Sequence, residues 1–169
     1  MHKIGERVVY GSFGVMEIVD VREEKVLDFI RKYYVLEPIS GGNGSQTFVP
    51  VENEKLVANM RPLLTKEEVL EFIRSMDSLP MAEWIQDNRA RSERFKATIE
   101  SGDRAGMISM IKLVKATGVR RAAEGKKNYL ADENAMHKAE KLLFSEIAAV
   151  MGISEEDVLD FIKNNEKRQ

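Results

Sequence analysis

Covalent catalysis and metal chemistry have few residues to work with in this chain. It holds no cysteine, which removes thiol nucleophiles, thiolate metal sites and a disulfide framework. Its two histidines are His2, at the terminus, and His137, inside a helical stretch. A nucleophile and base pair therefore has few possible members. Glu133, His137 and Glu140 do fall on one helical face at spacings that metal-binding bundles use, but a metal would need matching ligands from a second helix. The charged face of an ordinary surface helix looks the same, so the expectation is no catalytic residue, no metal and no cofactor. Gly41-Gly-Asn-Gly-Ser45 lacks the spacing and the lysine of a P-loop and is read as a turn.

Charge offers more than catalysis does. The 169 residues sum to a net charge of −2, yet residues 89–127 carry eleven Lys/Arg against four Asp/Glu, and the flanking stretches are neutral or acidic. Cations concentrated in this way attract a polyanion locally while the rest of the surface discourages indiscriminate sticking. Arg89, Arg91, Arg94 and Lys96 cluster in one helical pattern, Arg104, Lys112 and Lys115 in the next, and Arg120, Arg121, Lys126 and Lys127 in the connection that follows. Packed side by side, they could line a phosphate backbone, each contact adding counterion release and hence salt dependence. Such contacts position a protein without specifying a sequence. The plain alternative is a solvated helical face.

Trp84, the only tryptophan, stands shortly before these arginines. As a core residue it would anchor the start of a helix. As a surface residue beside phosphate-binding cations it would be a wedge or stacking platform, since base stacking contributes about 1–3 kcal/mol and tolerates any sequence.

The elements that must hold these residues fall into two alphabets. Val8, Val9 and Tyr10 precede Gly11-Ser-Phe-Gly14, and Val15, Met16, Ile18, Val19 and Val21 follow it, which predicts a hairpin. Tyr33 to Leu36 reads as a buried strand, and Thr47, Phe48 and Val49 as another that Pro50 ends. A last extended piece runs from Val57 to Met60 and stops near Pro62, while Glu23 to Arg31 suits a helical turn as well as a strand. Four or five short antiparallel strands make a small barrel or sandwich over residues 1–62.

From Thr65 the period becomes 3.6. Thr65 with Glu68 forms a capping-box signature ahead of Val69, Leu70, Phe72 and Ile73. A second helix is expected to start just after Pro80 and to reach about Glu100, and a third to run through Met107, Met110, Ile111 and Val114 to Gly118. Asp132 is a plausible N-cap for a fourth, and Ser154 for a fifth, beyond which the polar tail should fray. Residues 63–169 thus read as an all-helical module of about five helices, and the chain as an α+β protein. No apolar run approaches the ~18 residues of a membrane span, and the N-terminal residues lack a secretory signal. A monomer in a reducing cytoplasm, unattached to membrane, is the expectation.

The strings IGERVVYGSFGVMEIVDV, YYVLEP and TFVPVEN, followed by Trp84, Asn88-Arg89, Glu100-Ser-Gly-Asp103 and DENAMHKAEKLLFSEIA, resemble the CarD family of bacterial transcription regulators over nearly the whole chain. The resemblance implies that the first module is the RNA polymerase-interacting domain shared with the transcription-repair coupling factor, a Tudor-like small barrel that docks on the polymerase β subunit by an exposed edge. It implies that Arg22, Phe48, Val49 and Pro50 lie in that docking region. It further implies that the helical module meets promoter DNA at the upstream edge of the bubble. There Trp84 would wedge into the distorted minor groove, with Arg89, Arg91, Arg94, Lys96, Arg120, Arg121, Lys126 and Lys127 on the phosphate backbone. The outcome would be a stabilised open complex without enzymatic chemistry. Two departures stand out: Phe48 occupies a position where members often carry Arg, and roughly one more helical turn separates Trp84 from Ser101-Gly-Asp103. The rival readings are a protein–protein adaptor without direct DNA binding, and a metal-dependent enzyme using Glu133, His137 and Glu140.

Overall fold

A computed structural model describes residues 1–40 and 44–166, which form two compact units, Met1–Leu64 and Thr65–Gln169. In the first, β1 (Arg7–Tyr10), β2 (Val15–Val26), β3 (Phe29–Pro38), β4 (Thr47–Pro50) and β5 (Met60–Pro62) make one antiparallel sheet in the order β4-β3-β2-β1-β5. The glycine-flanked hairpin forms as expected, with the Tyr10 N–H donating to the Gly14 carbonyl at 2.9 Å. Val8, Tyr10, Met16, Ile18, Tyr34, Leu36, Val49 and Met60 pack into its core. The end strands β4 and β5 both close on proline, which lacks a ladder N–H and suits a sheet edge.

Of the two alternatives for Glu23 to Arg31, the strand is the one that forms, on the exposed far side of the sheet. It is the far half of a long ribbon, in which Glu23 opposes Lys32, Glu24 opposes Arg31 and Val26 opposes Phe29. The turn is Leu27-Asp28, with Leu27 at φ 56. No glycine or asparagine marks it, so the sequence gives no hairpin signal. The expected extended piece from Val57 is corrected. Asn53 accepts a hydrogen bond from the Leu56 N–H at 3.2 Å and starts the short helix α1 (Glu54–Ala58), so strand geometry resumes only at Met60. Gly41–Asn43 of the glycine-rich turn lie outside the described residues.

The second unit contains α2 (Lys66–Ser75), α3 (Asn88–Ser101), α4 (Arg104–Ala123), α5 (Leu130–Met151) and α6 (Val158–Glu166). The capping box closes both ways: Thr65 Oγ1 accepts from the Glu68 N–H at 3.2 Å, and Glu68 Oε2 from the Thr65 N–H at 2.7 Å. Phe95, Ile99, Met107, Met110, Val114, Met136 and Leu143 form the core.

Three boundaries differ from expectation. The segment after Pro80 is irregular through Asp87, because Asp87 caps α3 by accepting from the Ala90 N–H at 2.7 Å, while Ala82 donates to the Ser109 carbonyl at 3.0 Å and ties the segment to α4. Helix α4 passes through Gly118 to Ala123. Gly118 serves packing instead of termination: a Cβ there would lie 2.8 Å from the Asn128 amide nitrogen, which donates to the Val114 carbonyl at 3.1 Å. Asp132 does not cap α5, since Tyr129 holds that position and Asp132 is buried in the first turn. Ser154 does cap, accepting from the Asp157 N–H at 3.3 Å ahead of α6. Part of the polar tail, residues 167–169, lies outside the described residues.

Candidate nucleic-acid and polymerase interfaces

Trp84 sits on the irregular segment between Pro80 and α3, half-buried against the helical core. Its Nε1 donates to the Gln86 side chain at 3.0 Å. The same segment, with Pro80, Met81 and Ile85, forms one wall of a pocket of about 440 Å³ that Phe95, Met110 and Arg94 also line. Trp84 is therefore neither lost in the interior nor fully free.

The cations sort by helix face. In α3 the residues Arg91, Phe95 and Ile99 recur at i, i+4 and i+8 and point inward. Arg89 and Lys96 lie on the solvent side, each beside a carboxylate one turn on: Arg89 Nε to Glu93 at 3.2 Å and Lys96 Nζ to Glu100 at 3.8 Å. Exposed pairs of this kind contribute about 0–1 kcal/mol and yield readily to a competing phosphate. Arg94 is exposed beside the Trp84 segment. Arg120 and Lys127 are exposed, and Lys126 pairs with Glu124 at 3.3 Å. Among the described residues Arg94, Arg120 and Lys127 have no ion-pair partner. Arg121 is partly committed, donating to the Lys127 carbonyl at 2.8 Å and the Tyr129 hydroxyl at 3.3 Å.

Other basic residues are spent on the fold. Arg104 grips Glu146 with two bonds of 2.7 and 2.6 Å, Lys115 pairs with Glu140 at 3.0 Å, and Lys112 Nζ donates to the Met76, Asp77 and Leu79 carbonyls. Arg91 is the principal correction to the sequence-derived DNA set. It is 1% exposed, and its Nε donates to Asp132 Oδ2 at 2.8 Å, so it cannot reach a phosphate backbone. Sequence reasoning missed Tyr129 and Asp132 as its partners. The signal was present, because Asp132 leads the stripe Met136, Ala139 and Leu143 just as Arg91 leads Phe95 and Ile99. A base and an acid each occupying an apolar position point to a buried pair.

In the sheet unit, Arg22 and Phe48 come together on the surface, with the guanidinium carbon 5.1 Å from the ring centroid and Phe48 edge-on to Tyr33 at 6.2 Å. Pro50 lies opposite Tyr33 at the end of β4. The Val49 side chain is fully buried in the sheet core, which corrects its place in the expected docking set: only its backbone lies at the edge. The ribbon tip presents a feature the sequence did not announce. Leu27 is 85% exposed and Ile30 70% exposed, with Phe29 and Val26 beside them, an apolar tip of the kind that marks interaction sites.

The metal reading finds no geometry to support it. His137 Nδ1 stands 3.5 Å from Glu140, which Lys115 already engages, and the described residues contain no group of three His, Cys, Asp or Glu able to hold an ion. No helix among the described residues is long and apolar enough to cross a membrane.

Residues 2–64 match the family model of the CarD-like/TRCF RID domain, whereas no curated protein matches the chain. The match coincides with the sheet unit, its edge strand β4 and the Arg22–Phe48 surface. The first unit of this chain is thus similar to the CarD-like/TRCF RID domains, RNA polymerase-interacting modules, and that similarity supports a polymerase-binding role in transcription.

Proposed function

We propose that the chain is a non-enzymatic transcription regulator that binds the polymerase β subunit through its sheet unit and promoter DNA at the upstream edge of the bubble through the Trp84 segment, stabilising the open complex. The observation that carries this reading is the setting of Trp84: an indole on an irregular surface segment, backed by core, with its chain neighbours Glu83 and Ile85 lining a pocket together with Arg94. Arg89 and Lys96 on α3, and Arg120, Arg121, Lys126 and Lys127 around the end of α4, would neutralise phosphates. The polymerase would be met by the free edge of β4, the Arg22–Phe48 surface and the apolar ribbon tip. Differential affinity for the open over the closed state is sufficient mechanism, and about 1.4 kcal/mol of it shifts their ratio tenfold.

Trp84→Ala tests the reading. The expected protein is folded, binds polymerase as before and forms an open complex whose lifetime falls by about tenfold, the effect of losing one stacking contact. Fork-junction DNA binding in the presence of polymerase is measured alongside at several salt concentrations. An unchanged lifetime, or binding without salt dependence, would favour the adaptor that touches no DNA.

A further inference from the structure

The burial of Arg91 extends the wedge reading, on which this inference rests. A guanidinium is expensive to remove from water, and an apolar residue of similar bulk would fill the same space at lower cost, so its presence calls for a geometric task. Its bonds state that task. Nε binds Asp132 at 2.8 Å, Nη1 donates to the Ile85 carbonyl at 2.9 Å, and Nη2 donates to Asn88 Oδ1 at 2.9 Å. The guanidinium carbon lies 4.1 Å from the Trp84 ring centroid and 4.8 Å from that of Tyr129, while the two rings stand 5.8 Å apart. Arg121 covers Tyr129 in turn at 4.2 Å.

Two of these contacts, to Trp84 and to the Ile85 carbonyl, fall on one short stretch. The segment from Pro80 to Asp87 has no helical hydrogen bonds of its own, and Arg91 supplies both a flat surface for its indole and a donor for the carbonyl next to it. Asp132, on α5, fixes the guanidinium from behind, and Tyr129 closes the side. We propose that Arg91 is the positioning residue of Trp84: a buried cationic plate that fixes the plane of the indole before DNA arrives. A side chain ordered in advance loses less conformational freedom on binding, which is how a single ring gains affinity for a distorted duplex. A lysine would keep the charge but not the planar fork.

The single tryptophan makes the test direct, because all indole emission from the full chain reports on Trp84. Two variants are compared with the parent: Arg91→Lys, which keeps a partner for Asp132, and the double variant Arg91→Met with Asp132→Leu, which removes both charges and keeps bulk. Acrylamide quenching should rise at least about twofold and emission anisotropy fall, as expected of a ring released from its plate. Open-complex lifetime should move towards that of Trp84→Ala, and the salt slope of DNA binding should stay unchanged. Parental quenching and lifetime in a folded variant would overturn the proposal. So would a salt slope reduced by about one, the mark of a phosphate contact, or unfolding of both variants, which would assign Arg91 to stability alone. If Trp84→Ala itself leaves the lifetime unchanged, the wedge falls, and the quenching result decides the plate independently.

Discussion

The molecule contains two arginine–aromatic contacts of opposite design. Arg22 lies over Phe48 on the open surface of the sheet, with Glu24 at 3.0 Å and Asp20 at 4.0 Å as loose partners. Arg91 lies against Trp84 with no water contact, and every hydrogen bond it makes is internal. A cation over a ring is worth about 0.5–1 kcal/mol when exposed and about 2 when desolvated. The larger difference is availability. The Arg22 guanidinium can exchange its neighbours for those of a partner, whereas Arg91 has none to exchange and can act only through what it holds still.

The sharpest way to break this contrast is to remove the acid behind the buried arginine. Asp132→Ala leaves an uncompensated guanidinium in the interior and should cost about 3–5 kcal/mol in urea unfolding. Arg22→Ala should cost less than about 1 kcal/mol. Equal losses would erase the distinction. On the binding side the order reverses. Phe29→Asp at the ribbon tip should weaken polymerase binding by about tenfold while stability stays within about 0.5 kcal/mol, as for a surface change away from packed groups; undiminished affinity would remove the tip from the docking surface. The smallest effect concerns Glu6, whose carboxyl is held below its ordinary 4.5 chiefly by the hydrogen bond to His2, at 2.8 Å. A depressed value contributes stability above about pH 4.5 and loses it as pH falls through the folded value. Glu6→Gln should therefore lower Tm slightly at neutral pH, where the ionised carboxyl contributes, and flatten the acid limb, so that variant and parent converge at low pH.

The sheet was legible where β-branched and aromatic residues alternate between glycine turns, and α2 where Thr65 and Glu68 announce it. The ribbon was not, because its apolar residues serve no core and its turn uses Leu27. The start of α3 carried two competing signals, Pro80 and Asp87, and sequence offers no way to rank a proline that permits a helix against an aspartate that caps one seven residues on. At the candidate DNA site the residue types were legible and the faces were not. Eleven cations in 39 positions looked alike until packing divided them: Arg91, Arg104 and Lys112 went to the fold, and Arg94, Arg120 and Lys127 to solvent. Net charge counts all of these equally, but the first group is not available to a phosphate.

Leu27 has a consequence for anyone engineering this protein. A leucine in the left-handed region carries about 1–2 kcal/mol of strain that glycine would relieve. A library screened for heat resistance without polymerase present would accordingly enrich Gly or Asn at this position and discard the most exposed apolar side chain of the tip. Such a winner would outlast its parent in the tube and serve worse in the cell.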